Sequence, residues 1–279
     1  MPTLDLAALN AAIPHTEFAG HLHHLPTVDS TQTLAHAAAR SGARQGVWIA
    51  DQQTAGRGRG AHAWHSPFGP EGEPAGLYMT ALASPPIPMQ STLGLSFRTA
   101  IAVQAAIAEL TGLTVPHQID IRWPNDLLLH GRKTGGILIE LAPHPLPASG
   151  PALLRYAVFG IGINLNGLTF PPELDPIATS LRRELPGHPI LPREPLAAAI
   201  LRNLDAQLQN LATSYLKPQT ENLSSYSTWL TGKPVRVEPR YDAPGYTGTT
   251  AGLTQDGFLL VRGDDGQLHT VLSGGLREP

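Results

Sequence analysis

Apolar positions along the chain follow two different periods, which predicts a mixture of helices and strands. Helical spacing is found in three segments: residues 27–42, 93–110 and 194–216. Short apolar runs bounded by turn-forming residues predict strands at residues 46–52, 77–82, 119–123, 137–141 and 156–164. Because the two kinds of element mix along the chain, the pattern predicts a main domain of the α/β or α+β class.

The last part of the chain has a different pattern. From Gly232 onward, short apolar runs are separated by the pairs Asp256-Gly257 and Asp265-Gly266, which are typical of hairpin turns. This spacing predicts a small all-β domain at the end of the chain, in the form of a compact barrel. A Pro-rich segment at residues 142–151 predicts a connection inside the main domain.

Composition narrows the class of protein. The 279 residues contain 19 Lys and Arg against 22 Asp and Glu, a net charge of -3, which argues against broad nucleic-acid binding. The chain has no cysteine, so disulfides, thiolate nucleophiles and zinc–thiolate sites are excluded. No apolar run reaches the ~18 residues that span a bilayer, and the first residues lack the basic region of a secretory signal. We therefore expect a soluble cytoplasmic protein without membrane contact.

Residues 53–60, QTAGRGRG, follow a predicted strand and combine glycines with two arginines, Arg57 and Arg59. The stretch fits the loose dinucleotide pattern G-x-G-x-x-G/A only weakly, since the residues after it cannot form the required helix. Glycines allow backbone N–H groups to approach an anion, and arginine donates bidentate bonds to phosphate or carboxylate, so the loop is a candidate anion clamp. The alternative is a solvated turn. Trp64 either covers a flat ring such as adenine or anchors the loop.

Two further stretches suggest a pocket. In residues 122–140, RWPNDLLLHGRKTGGILIE, a turn presents Asn125 and Asp126, and Lys133 precedes a glycine pair and an apolar strand. Lys133 is either a surface side chain or a ligand contact. In residues 160–166, GIGINLN, glycines alternate with large residues, so one face is nearly flat, and Asn164 lies on that face. Another strand or a ligand packs there.

These stretches occur together in an order that resembles the biotin protein ligases, also called biotin–[acetyl-CoA carboxylase] ligases. The matching motifs are VDST (28–31), QTAGRGR (53–59), RWPND (122–126), GRKTGGILIE (131–140) and GIGIN (160–164). The resemblance implies an α+β fold, a mixed sheet packed with helices as in the class II synthetase-like biotin/lipoate ligase catalytic domain. It implies a catalytic biotin- and ATP-binding domain over residues 1–228 and an SH3-like β domain over residues 229–279.

The resemblance also implies a two-step reaction, with biotin and ATP as substrates and Mg²⁺ as the accompanying ion. Biotin is first activated as biotinyl-5′-AMP and is then transferred to a lysine of the biotin carboxyl carrier protein domain of acetyl-CoA carboxylase. The family often pairs through its central sheet, so a homodimer is expected. Only 27 residues precede VDST and they are not basic, so we expect no nucleic-acid partner.

Residue roles carry over from the matching motifs. The implied catalytic residues are Arg57, Arg59, Lys133 and Asp126. The implied biotin-binding residues are Ser30, Thr31, Gln32, Gln53, Arg57, Gly58, Arg59, Lys133, Gly136, Gly160 and Gly162. The implied ATP-binding residues are Arg59, Trp64, Asn125, Lys133 and Asn164, and the implied metal ligand is Asp126, which is also expected to help deprotonate the incoming lysine.

The sequence departs from the family pattern in two places. Ala61 and His62 stand where a basic pair is usual, which weakens one phosphate contact or makes it pH-dependent. Residues 68–76 form a longer loop than expected, with no assigned role.

Two other functions remain open at this stage. A lipoate protein ligase shares the catalytic fold, although the octanoyl transferases of that group need a cysteine, which this chain lacks. An RG-type RNA-binding protein would need a basic face with interleaved aromatic residues.

Overall fold

The structure is a computed structural model of the 279-residue chain. It describes residues 4–60, 62–69, 72–92, 94–144, 152–185, 187, 190–214, 223–239, 244–254, 257–272 and 275–279. Parts of several predicted segments lie outside these ranges: Ala61, Leu93, residues 70–71, 145–151 and 215–216, and Asp256.

A mixed seven-stranded sheet forms the centre of the fold, with the strand order β1-β2-β3-β7-β6-β5-β4. Its strands are β1 (Leu22–Val28), β2 (Gly46–Gln53), β3 (Gly76–Ala83), β4 (Ile119–Arg122), β5 (Asp126–Leu129), β6 (Arg132–Pro143) and β7 (Leu154–Asn164). β1 and β2 are parallel, and the other neighbours are antiparallel. The five predicted strands are all present. β1 and β5 had not been predicted, and β6 extends in both directions beyond the predicted run.

Helices cover the sheet and supply much of the core. They are α1 (Leu6–Ala11), α2 (Thr31–Arg40), α3 (Leu95–Thr111), α4 (Leu181–Glu184) and α5 (Arg193–Ser214). α3 and α5 pack against each other and carry a large part of the buried apolar surface, whose removal from water stabilises the fold. Ser30 occupies the N-cap position of α2, but its side chain makes no capping hydrogen bond. Gly112 ends α3 in the left-handed conformation, which glycine adopts without steric cost.

A second sheet follows in the chain, and every pairing in it is antiparallel, with the order β11-β10-β9-β8-β12. Its strands are β8 (Thr231–Val237), β9 (Tyr246–Leu253), β10 (Leu259–Gly263), β11 (Leu268–Val271) and β12 (Leu276–Arg277). Asp265 and Gly266 form the turn between β10 and β11, as their sequence indicates. The prediction of a mixed sheet with helices followed by a small all-β unit is confirmed, while the boundary at residues 228–229 stays a prediction.

The second sheet touches the main sheet beside the WPND turn. The indole Nε1 of Trp123 donates a hydrogen bond to the carbonyl oxygen of Gly257, at 3.2 Å. Trp229, which is 5% exposed, is the last aromatic residue before β8. Across the part of the chain that the structure describes, no helix has the length and apolarity needed to cross a membrane.

Candidate active site

A cavity of about 990 Å³ lies over one face of the main sheet. Its walls come from the N-terminus of α2, the glycine–arginine loop, the WPND turn, strands β6 and β7, and the edge of the second sheet. Every site residue implied by the sequence motifs lines it: Ser30, Thr31, Gln32, Gln53, Arg57, Gly58, Arg59, Trp64, Asn125, Asp126, Lys133, Gly136, Gly160, Gly162 and Asn164. The fold therefore brings together motifs that lie more than 100 positions apart in the chain.

Glycines on β6 and β7 form a flat floor in this cavity. Gly136 and Gly162 are partners across the two strands. A Cβ on Gly162 would stand 2.6 Å from Trp64 Nε1, and a Cβ on Gly136 would stand 2.9 Å from Trp64 Cζ3. The indole therefore covers the floor that the resemblance implied for biotin, so a ligand must lie beside the ring or displace it.

Gly160 forms the other end of the floor and contacts a different side chain. The Oε1 atom of Gln32 lies so close to Gly160 that a Cβ there would overlap it. The Nε2 atom of Gln32 donates to the Glu140 carboxylate at 2.9 Å and to the Leu138 carbonyl at 3.4 Å. These two bonds fix the amide orientation, so the Gln32 oxygen has to face Gly160.

A short polar chain connects α2 with the end of β2. The backbone N–H and the hydroxyl of Thr31 donate to Gln53 Oε1 at 2.9 and 3.2 Å, and Gln53 Nε2 donates to the Ser66 hydroxyl at 2.9 Å. Ser30, Thr31 and Ser66 are buried. Buried hydroxyl and amide groups with fixed partners can orient a polar ligand head, because the protein does not have to reorganise to bind it.

The glycine–arginine loop forms a small hairpin, described for residues 56–60 and 62–64, which we call the flap. Gly58 N–H donates to the His62 carbonyl and Trp64 N–H to the Gly56 carbonyl, both at 2.8 Å. The arginines diverge: Arg57 Nη2 lies 3.2 Å from Glu140 Oε1, and Arg59 Nη1 lies 2.9 Å from Asn125 Oδ1. The flap can thus present cations to two different ends of the cavity.

Glu140 connects the flap to α2. Besides Arg57 and Gln32, its carboxylate accepts a hydrogen bond from His36 Nε2 at 2.8 Å. Burial alone would raise the pKa of Glu140, but the hydrogen bonds from Gln32 and His36 and the charge of Arg57 hold it below its usual value. Glu140 is therefore ionised at neutral pH and can hold its three partners.

A second carboxylate, Asp126, lies between two cations. Lys133 Nζ is 2.6 Å from its Oδ1 atom and Arg122 Nη2 is 2.7 Å from its Oδ2 atom. Burial alone would raise the pKa of Asp126, but the charges of Lys133 and Arg122 outweigh burial and lower it. A carboxylate with a lowered pKa is a weak base, so this arrangement does not support the implied role of Asp126 in deprotonating a lysine.

The same geometry bears on the implied metal site. While Lys133 and Arg122 both contact Asp126, each carboxylate oxygen faces a cation, which disfavours a metal ion at that place. Within the described ranges, no group of three or more His, Asp or Glu side chains is arranged to hold a metal. A Mg²⁺ ion held mainly by ATP phosphates and water needs no such group, so the expected Mg²⁺ stays a prediction, and we derive no step through it.

The segment after β7 closes the side of the cavity next to Lys133. Lys133 N–H donates to the Ile177 carbonyl at 2.8 Å, and Thr179 N–H donates to the Lys133 carbonyl at 2.9 Å. Asn164 Nδ2 donates to the Thr179 carbonyl at 3.0 Å, so Asn164 supports this wall. Ile177 is 63% exposed at the rim and leaves an apolar surface next to the opening.

Several residues of the cavity had not been identified from the sequence. Arg122 lines the cavity, and Glu140 pairs with Gln32 and Arg57 of its lining. They are the first and last residues of the quoted stretch 122–140, so their position beside known motifs was the available signal. Glu238, Leu276 and Arg277 line the cavity from the second sheet, and their sequence carries no such signal. His62 contributes its backbone carbonyl to the flap, and its predicted effect on a phosphate contact stays a prediction.

The fold and the site together define a class of protein: a mixed sheet with a small all-β unit, in which a cationic flap lies over a glycine floor. The profile of the Biotin/lipoate A/B protein ligase family matches residues 25–150, and that of the Biotin protein ligase C terminal domain matches residues 231–274. The "Bifunctional ligase/repressor BirA" of Bacillus subtilis is 34% identical over 255 residues, which cover 90% of this chain and 72% of the relative. The chain belongs to the biotin protein ligase family.

Two other relatives extend this result. The "Biotin--[acetyl-CoA-carboxylase] ligase" of Paracoccus denitrificans is 31% identical, and the match covers 87% of this chain and 95% of the relative. The structure of the biotin protein ligase of Aquifex aeolicus in complex with biotin and ATP is similar, with a TM-score of 0.71 and 27% identity, over 93% of this chain and 100% of that one. These likenesses favour the biotin ligase prediction over the lipoate ligase and RNA-binding alternatives.

Proposed function

We propose that this chain is an ATP-dependent biotin protein ligase that activates biotin and transfers it to a protein lysine. In the first step, a carboxylate oxygen of biotin attacks the α-phosphorus of ATP and pyrophosphate leaves, which gives biotinyl-5′-AMP. In the second, an uncharged lysine amine attacks the acyl carbon, AMP leaves and an amide forms. The attack leaves the new nitrogen protonated, and that proton is released to solvent as the amide forms.

The observation that carries this proposal is the convergence of cations on a cavity with a polar end and a flat floor. The reaction brings a carboxylate next to a triphosphate, and their repulsion must be offset. Arg57, Arg59 and Lys133 all line the cavity and supply positive charge there. Neither step forms a covalent bond to the enzyme, so catalysis consists of positioning and charge stabilisation, and the absence of cysteine is no obstacle.

We assign roles according to position in the cavity. The buried polar chain of α2 and β2 is proposed to bind the head of biotin through Ser30, Thr31, Gln32 and Gln53. The flap, with Arg57, Gly58 and Arg59, is proposed to close over biotin and the phosphates. Floor glycines Gly136, Gly160 and Gly162 admit the flat ligand, and Lys133 is proposed to contact the biotin carboxylate and α-phosphate. The adenine side is assigned to Trp64, Asn125 and Asn164.

The proposal also covers the protein that accepts biotin and the place in the cell where the reaction occurs. We propose that the acceptor is a biotin carboxyl carrier protein domain, the partner implied by the family. We also propose the cytoplasmic location that the sequence predicts. The expected homodimer stays a prediction.

Biotin-dependent exchange of labelled pyrophosphate into ATP tests the first step directly. We expect exchange with biotin and none with lipoate, and we expect Arg59→Ala to reduce it by about two orders of magnitude, since it removes a cation from the flap. Wild-type exchange with lipoate alone would contradict the assignment. A second measurement follows the flap: with biotin and ATP bound, hydrogen exchange of amides 54–60 should slow, and unchanged exchange would exclude closure.

A further inference from the structure

Arg122 and Lys133 share one carboxylate, and each takes a separate oxygen of Asp126, at 2.7 and 2.6 Å. The three side chains differ in exposure: Asp126 is 14% exposed, Arg122 18% and Lys133 33%. An ionised carboxylate that is this buried needs a cation beside it, because an unpaired buried charge is strongly destabilising. Asp126 has two such partners where one would neutralise it.

The two cations are held differently. The Lys133 ammonium faces the cavity: it lies 5.5 Å from the centre of the Trp64 ring, and a Cβ on Gly136 would stand 3.4 Å from Nζ. Its four-carbon stem allows the charge to move over several ångströms. Arg122 is restrained, because Asp126 is its partner in the β4–β5 register and the Arg122 guanidinium lies 5.7 Å from the centre of the Trp229 ring.

We propose that Arg122 is a positioning residue that neutralises Asp126 while Lys133 leaves that carboxylate for the anionic groups of the substrates. This inference rests on the proposed function, since it takes Lys133 as the contact to the biotin carboxylate and α-phosphate. Without Arg122, transfer of Lys133 to the substrates would leave Asp126 as an unpaired buried anion. Lys133 would then stay on Asp126, and adenylate formation would slow although Lys133 itself is intact.

A purely structural role for Arg122 makes a different prediction. The Arg122–Asp126 pair joins β4 to β5 across the WPND turn, so its loss would lower stability and would slow the reaction whatever the charge at position 126. The positioning role instead depends on the charge of Asp126. If that charge is removed together with Arg122, Lys133 has no anion to hold it and no counter-ion is needed.

The test compares Arg122→Met, Arg122→Lys, Asp126→Asn and the double variant Arg122→Met/Asp126→Asn in the full chain. Biotin-dependent pyrophosphate exchange is measured at saturating biotin and ATP. We expect Arg122→Met to lose roughly 10- to 100-fold in rate, and Arg122→Lys to stay within about threefold of wild type because it keeps the charge. The double variant should be at least about tenfold faster than Arg122→Met. A double variant no faster than Arg122→Met, or an Arg122→Met variant as fast as wild type, overturns the inference.

Two controls make the outcome decisive. Arg202→Met removes a surface arginine of α5 that pairs with Glu109 at 3.0 Å, with side chains 41% and 59% exposed, and should match wild type. Thermal unfolding is followed for every variant. If Arg122→Met does not fold, Arg122→Gln replaces it: the amide can still donate to Asp126 but carries no charge, and the same loss and recovery are expected.

Absence of biotin-dependent exchange in wild type would overturn the proposed function itself. Exchange in wild type without recovery in the double variant would overturn this inference alone.

Discussion

The indole of Trp64 lies directly against the backbone of Gly162, with the position of a Cβ on that glycine only 2.6 Å from Trp64 Nε1. Gly136, the cross-strand partner of Gly162, touches the same ring. Within the described residues the Trp64 Nε1–H is buried and has no hydrogen-bond acceptor, which is costly for an indole. The flap therefore contacts the floor of the cavity through Trp64. This contact is possible only because Gly136 and Gly162 have no side chain.

A methyl group on the floor should therefore displace the flap. Gly162→Ala introduces a carbon atom well inside contact distance of Trp64, and we expect ATP affinity to fall by about tenfold, as for an overpacked site. Isothermal titration calorimetry measures the change. The matched control is Gly167→Ala, at another glycine of the cavity lining. Its methyl would meet Ala75 at an ordinary 3.6 Å and would not touch Trp64, so the ATP affinity should be close to that of wild type. Equal affinities in both variants would mean that the Trp64 contact does not matter for binding.

Trp64 itself should contribute to nucleotide binding. If its ring stacks on adenine, Trp64→Ala should weaken ATP binding by about 1–3 kcal/mol, the usual range for a base stacked on an aromatic side chain. Trp64→Phe, which keeps a flat ring, should lose less. An ATP affinity that is the same in Trp64→Ala and wild type would leave Trp64 as an anchor of the flap only.

Lys133 should be essential for the first step and dispensable for the fold. Lys133→Ala removes a cation from the point where the two substrates meet, so adenylate formation should fall by about two orders of magnitude or more. Asp126 keeps Arg122 at 2.7 Å, so it is not left unpaired, and the unfolding temperature should change by only a few degrees. Pyrophosphate exchange measures the loss of adenylate formation, and thermal unfolding measures the change in stability. Unchanged exchange would remove Lys133 from the site.

The free energy of unfolding should fall as the pH rises from about 4.5 to about 7, because of the raised pKa of Glu17. Burial, followed by the nearby Asp205 carboxylate, raises the pKa of Glu17 from 4.5 to about 7. The folded state therefore holds a proton on Glu17 that the unfolded state releases near pH 4.5, so the stabilisation is complete below that pH and is lost as the pH rises through 7. We expect Glu17→Gln to stabilise the protein by about 1–3 kcal/mol at pH 8 and to have little effect at pH 4.

Urea unfolding at the two pH values checks this prediction. Asp205→Asn serves as a second variant, because it removes the neighbouring charge and should reduce the pH dependence in part. A Glu17→Gln variant whose gain in stability is the same at pH 4 and pH 8 would show that ionisation of Glu17 is not the cause.

Secondary structure could be predicted from the sequence where local pattern and burial agree. The apolar face of α3 and the run that became β7 are examples, because each is long and periodic. β1 was missed because its residues LHHLPTV combine histidines and a proline without alternation, and it is a strand only because it pairs with β2. β5 was missed because its four residues directly follow a turn and are too few to carry a period.

For the candidate site too, some features could be predicted from the sequence and others only from the structure. The sequence by itself determined which chemistry was available: cations on a glycine loop, a lysine beside a glycine pair and a flat strand, each a matter of residue type within a few positions. Only the tertiary structure decided which groups meet, since Gln32 reaches Glu140 and Gly160, and the second sheet reaches the cavity, through contacts between distant parts of the chain. The physical reason is that charge pairing and close packing depend on distances of a few ångströms. Strand register and sheet order set these distances, and the local sequence does not contain them.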